Sequence, residues 1–386
     1  MNVIIFSTAD WDNPFWTNKQ HMAKTFENNG NKVIYIDSLG IRKPKASKSD
    51  LLRILRRFKS LFKPYRKVSE NIWVVSPFVI PFYKYKFIQK FNNNFLSIVI
   101  KILMKYLNFK DYIIWTYSPI TNEIIDKFDS NCKVYHCVDD LSALPNVDKN
   151  IIIEKEKDLI EKCNYIFTTS KNLFDIIKPQ NENTYYQNNV CDYEHFSKAK
   201  NDKFNIPSDI KDIAGPKIIF VGAISSYKIN FDLLSQLATR NIHWNFIMLG
   251  QVGEGQPETN ISMITSCKNI YLLGPKDYKE IPKYLHFADV AIIPSNINDY
   301  TKSMFPMKFF EYLSAGLQVV STNLESLKEY SNICYLSDDI DDFESNLSTI
   351  IDKKELKSEK DIEIECKKHT WENRYIKMME IIGFHK

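Results

Sequence analysis

Lys308 and Glu311 stand three residues apart at the start of a predicted helix. Pro306 suits the first helical position, because its missing N–H is one that a helix would not use, and Gly316 can end the helix. The first N–H groups of a helix lack partners and the helix dipole is positive there, so phosphate oxygens bind well. Lys308 would add a full positive charge, and Glu311 can accept hydrogen bonds from two neighbouring ribose hydroxyls. The pattern fits a nucleoside-diphosphate site, or equally an amphipathic helix with a surface ion pair.

Asp139 and Asp140 end the run KVYHCVDD at 133–140, which predicts a buried strand. Sites on open α/β sheets lie at the carboxyl ends of strands, and a carboxylate there can act as a general base. Either aspartate can instead cap the helix or turn that follows. His136, within the same strand, is expected to be a histidine of the core.

The backbone at Gly222 and Ala223 follows the apolar run KIIFV at 217–221 and can approach phosphate groups closely. A lone glycine at the end of a strand often makes only a turn, so both interpretations stay open. Lys228 is a further basic candidate in this loop. The run LGQVGEG at 249–255 lacks the G-K-[ST] ending of a P-loop, and we interpret it as a flexible turn.

Short apolar runs alternate with helical patterns along the whole chain, as in parallel sheets covered by helices. The runs of the first half lie at 3–7, 32–37, 72–77, 111–118, 133–139 and 165–170. After a polar stretch near 197–215 the pattern restarts. We therefore predict an α/β protein with two doubly wound Rossmann-like domains facing a central cleft. The predicted boundaries are 1–200, 201–366 and a terminal helical segment at 367–386 that returns toward the first domain.

The composition is that of a globular protein, with 44% hydrophobic and 25% charged residues among 386. A net charge of +4 is too slight to indicate a nucleic-acid partner. The seven cysteines show neither zinc-ligand spacing nor a disulfide framework, and no apolar run approaches the length of a membrane span. Because no signal sequence is apparent either, the sequence predicts a cytoplasmic protein without a bound metal.

A strongly basic segment covers residues 42–67, with eleven lysines and arginines against the single acid Asp50. Within it, DLLRILRRFKSLF at 50–62 predicts a basic amphipathic helix, which suits an anionic membrane surface. The runs PFYKYKFIQKF and FLSIVIKILMKYL that follow are also aromatic and basic. A charge run is often only a solvated helix face, and nucleic acid is the competing partner, although no recognition motif accompanies the charge.

The stretch TKSMF followed by P-M-K-x-F-E-Y-L-S-A-G-x-x-V-V, at 301–320, resembles the donor-nucleotide motif of bacterial GT-B glycosyltransferases that build cell-surface polysaccharides. The resemblance implies that Lys308 meets the diphosphate and Glu311 the ribose of a nucleotide sugar. The further donor-binding candidates are Lys302, Pro306, Met307, Gly222 and Ala223. Gln318 replaces the usual proline of the motif. Ser303 stands where many retaining members carry an acidic residue, which argues against a retaining reaction.

The residues Y-x-x-x-D-x-L-S at 135–142 resemble the stretch holding the proposed catalytic aspartate of the xanthan glucuronosyltransferase family. This resemblance selects Asp139 as the base and leaves Asp140 as the cap. The opening loop resembles the acceptor-contacting loop of the same fold, which makes Asp10, Trp11, Asp12 and His21 acceptor-binding candidates, with a plain loop role as the alternative.

The resemblance implies a hexosyltransferase-type enzyme that passes a sugar from a nucleoside-diphosphate donor, taken to be UDP-linked, to a glycan or lipid-linked glycan. The expected reaction is inverting and needs no cofactor. It would take place at the cytoplasmic face of the cell membrane, which the protein would contact peripherally through residues 42–67. A GT-B nucleotide-sugar epimerase and a non-catalytic, membrane-associated nucleotide-sugar-binding protein remain as alternatives.

Overall fold

The computed structural model describes residues 1–13, 15–40, 64–80 and 85–384. These form two compact units, residues 1–188 with 375–386 and residues 189–374. The division falls about a dozen residues before the predicted boundary at 200, because Cys191, Phe196 and Ala199 are buried in a core of the second unit. The segment that rejoins the first unit begins at Tyr375 rather than at 367. The Tyr375 ring packs edge-on against the Phe26 ring, with 5.3 Å between their centroids.

A sheet of eight strands, counted among the described residues, organises the first unit. The strands are β1 (Asn2–Phe6), β2 (Lys32–Ile36), β3 (Tyr65–Lys67), β4 (Ile72–Val75), β5 (Tyr112–Thr116), β6 (Cys132–Cys137), β7 (Tyr165–Thr168) and β8 (Thr184–Tyr186). Their spatial order is β3-β4-β2-β1-β5-β6-β7-β8, and only the edge strand β3 is antiparallel to its neighbour. Most central strand residues are fully buried, as expected for a sheet covered on both faces. β1 and β5 are parallel neighbours, and the order in which the chain adds strands reverses between them.

Helices cover this first sheet, and polar side chains fix where several of them start. They are α1 (Asn18–Asn28), α2 (Lys86–Tyr106), α3 (Lys149–Lys162) and α4 (Lys171–Ile177). Thr17 and Gln20 form a reciprocal capping box at the start of α1, and the Ser170 side chain accepts from the N–H of Leu173 at the start of α4. Both arrangements satisfy N–H groups that a helix start leaves without partners.

Six parallel strands form the sheet of the second unit, counted in the described part of the chain. They are β9 (Lys217–Val221), β10 (Asn245–Leu249), β11 (Ile270–Leu272), β12 (Val290–Ile293), β13 (Val319–Thr322) and β14 (Tyr335–Ser337). The order β11-β10-β9-β12-β13-β14 is that of dinucleotide-binding folds, with its switch point between β9 and β12. Along β9, Ile218 and Phe220 enter one hydrophobic core and Ile219 and Val221 the other. The predicted α/β class with two Rossmann-like domains is confirmed.

The helices of the second unit and the terminal helix complete the fold. They are α5 (Tyr193–Phe196), α6 (Lys198–Asn201), α7 (Phe231–Arg240), α8 (Ser262–Thr265), α9 (Ile281–His286), α10 (Asp299–Lys302), α11 (Lys308–Ser314), α12 (Ile340–Ile351), α13 (Glu359–Lys368) and α14 (Trp371–Ile381). Among the helices described, none combines the length and the apolar character that crossing a membrane requires. Of the basic segment 42–67, residues 42–63 lie outside the described residues, so the predicted amphipathic helix there is untested.

Candidate functional site

Helix α11 begins at Lys308, so Pro306 precedes the helix instead of occupying its first position. The Pro306 carbonyl accepts the Phe309 N–H at 3.1 Å, which links the proline to the first turn. At the other end Gly316 has a φ of +85°, and the N–H of Leu317 reaches back to the Tyr312 carbonyl at 3.1 Å. This closure suits glycine because its backbone must adopt a left-handed conformation. The predicted helix end at Gly316 is confirmed.

The Lys308 ammonium lies at the carboxyl end of β9. Its Nζ sits 4.5 Å from the centroid of the Phe220 ring, and a Cβ added to Gly222 would lie 2.8 Å from it. The pKa of Lys308 is lowered to about 8, chiefly by burial and also by the positive charge of Lys228, whereas Glu311 and Glu254 act in the opposite direction. No hydrogen bond or ion pair from any described residue reaches this ammonium. A half-buried cation that lies over an aromatic ring but has no hydrogen bond or ion pair is suited to an anionic ligand.

Glu311 lies one turn further along the same helix and is also half-buried. The pKa of its carboxyl group is raised to about 7, chiefly by burial; the charge of Asp192 also raises this pKa, and the charge of Lys308 opposes the shift. Within the described chain, no ion pair joins Glu311 to Lys308 and no donor reaches its oxygens. The alternative of an ordinary surface ion pair is therefore not what the structure contains, and the acceptor oxygens of Glu311 are available to a ligand.

The loop after β9 approaches Lys308 because glycines occupy two positions that lie close together in space, Gly222 and Gly250. Gly222 has a φ of +140°, a conformation that other residues rarely adopt. Its N–H donates to the Leu249 carbonyl at 2.8 Å, and a Cβ on Gly250 would lie 1.8 Å from the Gly222 carbonyl oxygen. Ala223, half-buried, follows in the same loop. Only glycine at position 250 allows the two loops to lie this close.

Residues 253–255 form a turn, as the sequence predicts. Ile224 and Val252 form a parallel bridge, and the Ser225 hydroxyl donates to the Glu254 carbonyl at 2.6 Å. These contacts tie the glycine-rich run to the Gly222 loop, which it supports. The signal that identifies this role is Gly250 directly after the buried strand β10, since such a glycine often marks a close backbone approach.

The remaining predicted donor residues differ in how near they lie to Lys308. Met307 is half-buried immediately before α11, and Pro306 is buried. Lys302 is exposed at the end of α10, and no contact among the described residues ties it to Lys308. Lys228 is the nearer basic neighbour; its ammonium lies between the rings of Tyr227 and Tyr300, at 5.3 and 5.4 Å.

Asp139 follows β6 at the carboxyl edge of the first sheet, with 24% of its side chain exposed. Its Oδ2 lies 3.8 Å from Nζ of Lys19, a buried lysine in the first turn of α1. The Lys19 ammonium also lies 5.6 Å from the centroid of the Tyr117 ring. Sequence reasoning missed Lys19, because nothing in the local pattern FWTNKQ distinguishes a buried lysine from a solvated one. The pair provides a carboxylate held by a fixed cation.

Asp140 has the structural role that the sequence favours for it. Its Oδ1 accepts the backbone N–H of Ser142 at 2.9 Å and the Ser142 hydroxyl at 2.7 Å, which caps a short 3₁₀ turn over Leu141–Ala143. His136 is fully buried between the rings of Trp115 and Tyr117, at 5.5 and 5.0 Å. Both predictions, a cap at Asp140 and a core histidine at 136, are confirmed.

The opening loop is held by Asp37, which sequence reasoning also missed. Asp37 follows β2, and its carboxylate accepts the Trp11 N–H at 2.8 Å and the Ser76 hydroxyl at 2.8 Å. The pKa of Asp37 is raised to about 6, chiefly by burial; the two hydrogen bonds oppose this shift, and the charge of Asp10 adds to it. The buried carboxylate therefore fixes the backbone of the loop that carries the acceptor candidates.

The acceptor candidates themselves have different environments. Asp10 is exposed and accepts the Ser38 N–H at 3.2 Å, and Asp12 forms an ion pair of 2.5 Å with Arg66. Trp11 packs against Tyr35, with 5.1 Å between ring centroids. His21 is only 5% exposed and lies 5.3 Å from the Trp16 ring, so it belongs to the packing beneath the loop rather than to its surface. Acceptor binding by these residues stays a prediction.

One family model matches most of the second unit. Residues 215–353, which include Gly222, Lys308 and Glu311, match the family model described as "Glycosyl transferases group 1". This match covers most of the second unit, which therefore resembles a group 1 glycosyltransferase domain. The chain is also 27% identical over 205 residues to a putative teichuronic acid biosynthesis glycosyltransferase of Bacillus subtilis. That match covers 50% of this chain, and the chain spans about half, 51%, of the relative's length.

Solved structures resemble the whole chain in fold. Sucrose-phosphate synthase from Thermosynechococcus elongatus matches with a TM-score of 0.72 at 12% identity. The match covers 99% of this chain and 98% of the synthase chain. The Anabaena protein HepE in complex with UDP and glucose has a TM-score of 0.63 at 13% identity, covering 99% of both chains. The fold is GT-B. No comparison singles out the xanthan glucuronosyltransferase family, so membership of that family stays a prediction.

No cluster of three or more His, Cys, Asp or Glu side chains with the geometry to hold a metal ion occurs among the described residues. A reaction without metal stays a prediction. The second unit offers a cation that can take the place of a metal ion, since Lys308 can neutralise the charge that develops on a departing phosphate.

Proposed function

We propose that this protein is a glycosyltransferase that moves a sugar from a nucleoside-diphosphate donor to a glycan or lipid-linked glycan during the synthesis of a cell-surface polysaccharide. The observation that carries the proposal is the Lys308 ammonium beside Gly222, which has no hydrogen bond or ion pair with the described residues, within the stretch that matches the group 1 glycosyltransferase model. An anion-binding cation at the switch point of a nucleotide-binding sheet is where a diphosphate is expected.

The second unit supplies the donor site in this proposal. Lys308 and the backbone at Gly222 and Ala223 bind the diphosphate, and Glu311 accepts hydrogen bonds from the ribose hydroxyls. When the bond between the sugar and the diphosphate breaks, negative charge grows on the leaving phosphate oxygen. Lys308 stabilises that charge more strongly than the charge of the intact donor, which lowers the barrier to transfer.

The first unit supplies the base. Asp139 removes the proton of the acceptor hydroxyl as its oxygen attacks the anomeric carbon, which gives inversion by direct displacement. Lys19 positions the Asp139 carboxylate through the ion pair of 3.8 Å. The loop of Asp10, Trp11 and Asp12, with His21 packed beneath it, is assigned to acceptor binding.

Two relatives support the choice of donor and pathway. The Anabaena neighbour binds UDP and glucose, and the Bacillus relative is named for teichuronic acid biosynthesis. We therefore propose a UDP-linked hexose as donor and a bacterial polysaccharide as product. The eleven basic residues of 42–67 support peripheral binding at the cytoplasmic face of the cell membrane through that segment.

The decisive variant is Asp139→Asn, with Asp140→Asn as its matched control. Transfer from UDP-sugars to acceptor glycans should fall by about 10²–10⁴-fold in Asp139→Asn, because a positioned base contributes about that much. UDP affinity should stay unchanged. Asp140→Asn alters a cap and should leave turnover within a few-fold.

The same assay separates the alternatives. An epimerase would isomerise the donor sugar without acceptor. A non-catalytic binding protein would be stabilised by UDP, yet it would neither transfer the sugar nor hydrolyse the donor. Unchanged transfer in Asp139→Asn would remove this aspartate from the mechanism. A thermal-shift panel of nucleoside diphosphates and nucleotide sugars identifies the donor, since ligands that bind the folded state raise its stability.

A further inference from the structure

Helix α2 buries polar side chains in its first half and exposes large apolar ones. Gln89 and Asn92 are 5% and 3% exposed, whereas Phe87 and Phe91 are 74% and 52% exposed. The Asn92 amide donates to the Ile80 carbonyl at 2.9 Å and accepts the Ile80 N–H at 3.1 Å, so the inward position of this asparagine is fixed by hydrogen bonds. The outward position of the two phenylalanines is therefore a property of how the helix is docked.

The exposed apolar side chains continue along the whole helix. Ile98, Ile102 and Tyr106 are 56%, 60% and 74% exposed, and residues 87, 91, 98, 102 and 106 recur at helical spacing. The opposite face already buries Leu96, Ile100 and Leu103 in the core of the first unit. One apolar face is enough to anchor a helix, so the second one is available for another surface.

This outer face is concentrated and not part of a general pattern. Fifteen large hydrophobic residues are exposed among the described residues, and six of them fall within residues 85–106. The other nine are spread singly over both units, as is usual for a soluble protein surface. The six are Tyr85, Phe87, Phe91, Ile98, Ile102 and Tyr106.

The charged residues beside this face indicate which kind of surface it suits. Residues 86–106 contain no acidic residue, and four exposed lysines, Lys86, Lys90, Lys101 and Lys105, lie along one border of the apolar stripe. Interfaces between proteins are depleted in lysine near their centre. A helix with an aromatic and aliphatic stripe beside lysines instead suits the plane between the acyl chains and the phosphate groups of an anionic membrane.

We propose that α2, whose length is about 30 Å, binds flat on an anionic lipid surface. Phe87, Phe91, Ile98 and Ile102 enter the boundary of headgroups and acyl chains, and the neighbouring lysines pair with lipid phosphates. This surface belongs to residues 86–106 and so differs in sequence from the segment 42–67, and its use does not require sugar transfer. The binding brings the first unit, with Asp139, to the membrane where lipid-linked substrates reside.

Flotation of the full-length protein with vesicles tests the proposal. Wild type should float with vesicles of equal parts phosphatidylglycerol and phosphatidylcholine, and Ile98→Gln/Ile102→Gln should bind at least about tenfold more weakly, because two buried apolar side chains are lost. The matched control is Ile242→Gln/Ile364→Gln, which changes two isoleucines that are 70% and 44% exposed in the second unit. The control should float like wild type, and circular dichroism checks that both variants are folded.

A second pair of variants tests the charge. Lys90→Gln/Lys105→Gln should weaken binding by about tenfold or more and reduce its dependence on salt, since each lysine near an anionic surface contributes about a kilocalorie per mole. Vesicles of phosphatidylcholine alone should bind wild type poorly. Equal flotation with both lipid compositions would contradict the assignment of lysines to lipid phosphates.

Two further outcomes would overturn the proposal. If Ile98→Gln/Ile102→Gln floats like wild type while Arg56→Gln/Arg57→Gln does not, the membrane contact lies in the basic segment and not on α2. If wild type does not float but is a dimer in solution that the isoleucine variant converts to a monomer, the stripe is an interface between two copies of the chain. Loss of flotation in both the isoleucine and the arginine variants supports α2, with the basic segment as a second contact.

Discussion

Glu311 carries a charge that no hydrogen bond or ion pair among the described residues compensates. Its pKa is raised from 4.5 to about 7, with burial as the main cause, and no described residue donates to it. Such a group destabilises the ligand-free protein once it ionises, because the folded state holds its proton more tightly than the unfolded chain does. Residues that bind ligands often impose such a cost, since a site selected for binding is not optimised for stability.

Glu311→Gln should therefore stabilise the ligand-free protein while weakening UDP binding. The gain should be absent below pH 4.5, grow as the pH rises to about 7, and stay constant above it, at about 1–3 kcal/mol after discounting for partial exposure. Denaturant unfolding at several pH values measures it. Glu325→Gln, an exposed change in the same unit, should show no such gain; a flat difference for Glu311→Gln would contradict the assigned charge.

At the scale of elements, the site depends on two loops held together by glycines. The sequence was sufficient to place Gly222, Lys308 and Glu311, because each belongs to a local pattern: a strand followed by a turn, or a spacing on one helix. It was not sufficient for Gly250, Lys19 or Asp37. Their roles depend on contacts with residues 28, 120 and 26 positions away, which no local pattern encodes.

Gly250→Ala should separate these loops. The new Cβ would meet the Gly222 carbonyl oxygen at 1.8 Å, so backbone must move, at a cost of about 1–3 kcal/mol in stability. UDP affinity should fall as well, because the Gly222 loop leaves Lys308. Gly274→Ala is the control: it introduces strain at a φ of +69° but meets no atom within 4 Å. It should lower stability and preserve UDP affinity, and equal UDP affinity in both variants would contradict the loop model.

At the scale of the whole molecule, the chain forms two units with separate sheets and separate cores, and the proposed function assigns a different task of the reaction to each. Strand alternation in the sequence predicted both sheets, since buried parallel strands and crossover helices leave a clear pattern. The boundary at 200 was harder to predict, because the short helices α5 and α6, which lie just before and at the start of the polar stretch 197–215, pack into the second core. Local polarity indicated a boundary where tertiary packing continues.

Hydrogen exchange of the full chain should show this division of tasks. UDP should slow amide exchange most at 222–228, 249–256 and 307–311, because those segments surround Lys308 and its supporting loop. The loop at 7–13 of the first unit should change least. Protection confined to the first unit would contradict the assignment of the donor site.

The central claim is that Lys308 binds the diphosphate of the donor, and calorimetric titration of UDP into wild type and Lys308→Gln tests it most directly. The account predicts a dissociation constant about 10–100-fold higher in Lys308→Gln, from the loss of a charge-assisted hydrogen bond. Wild-type affinity should also decline as the pH rises through about 8, where the Lys308 ammonium loses its proton, and this decline should be absent in the variant. Lys328→Gln, at an exposed lysine of the same unit, should bind like wild type. Equal UDP affinity in wild type and Lys308→Gln at neutral pH would contradict the account.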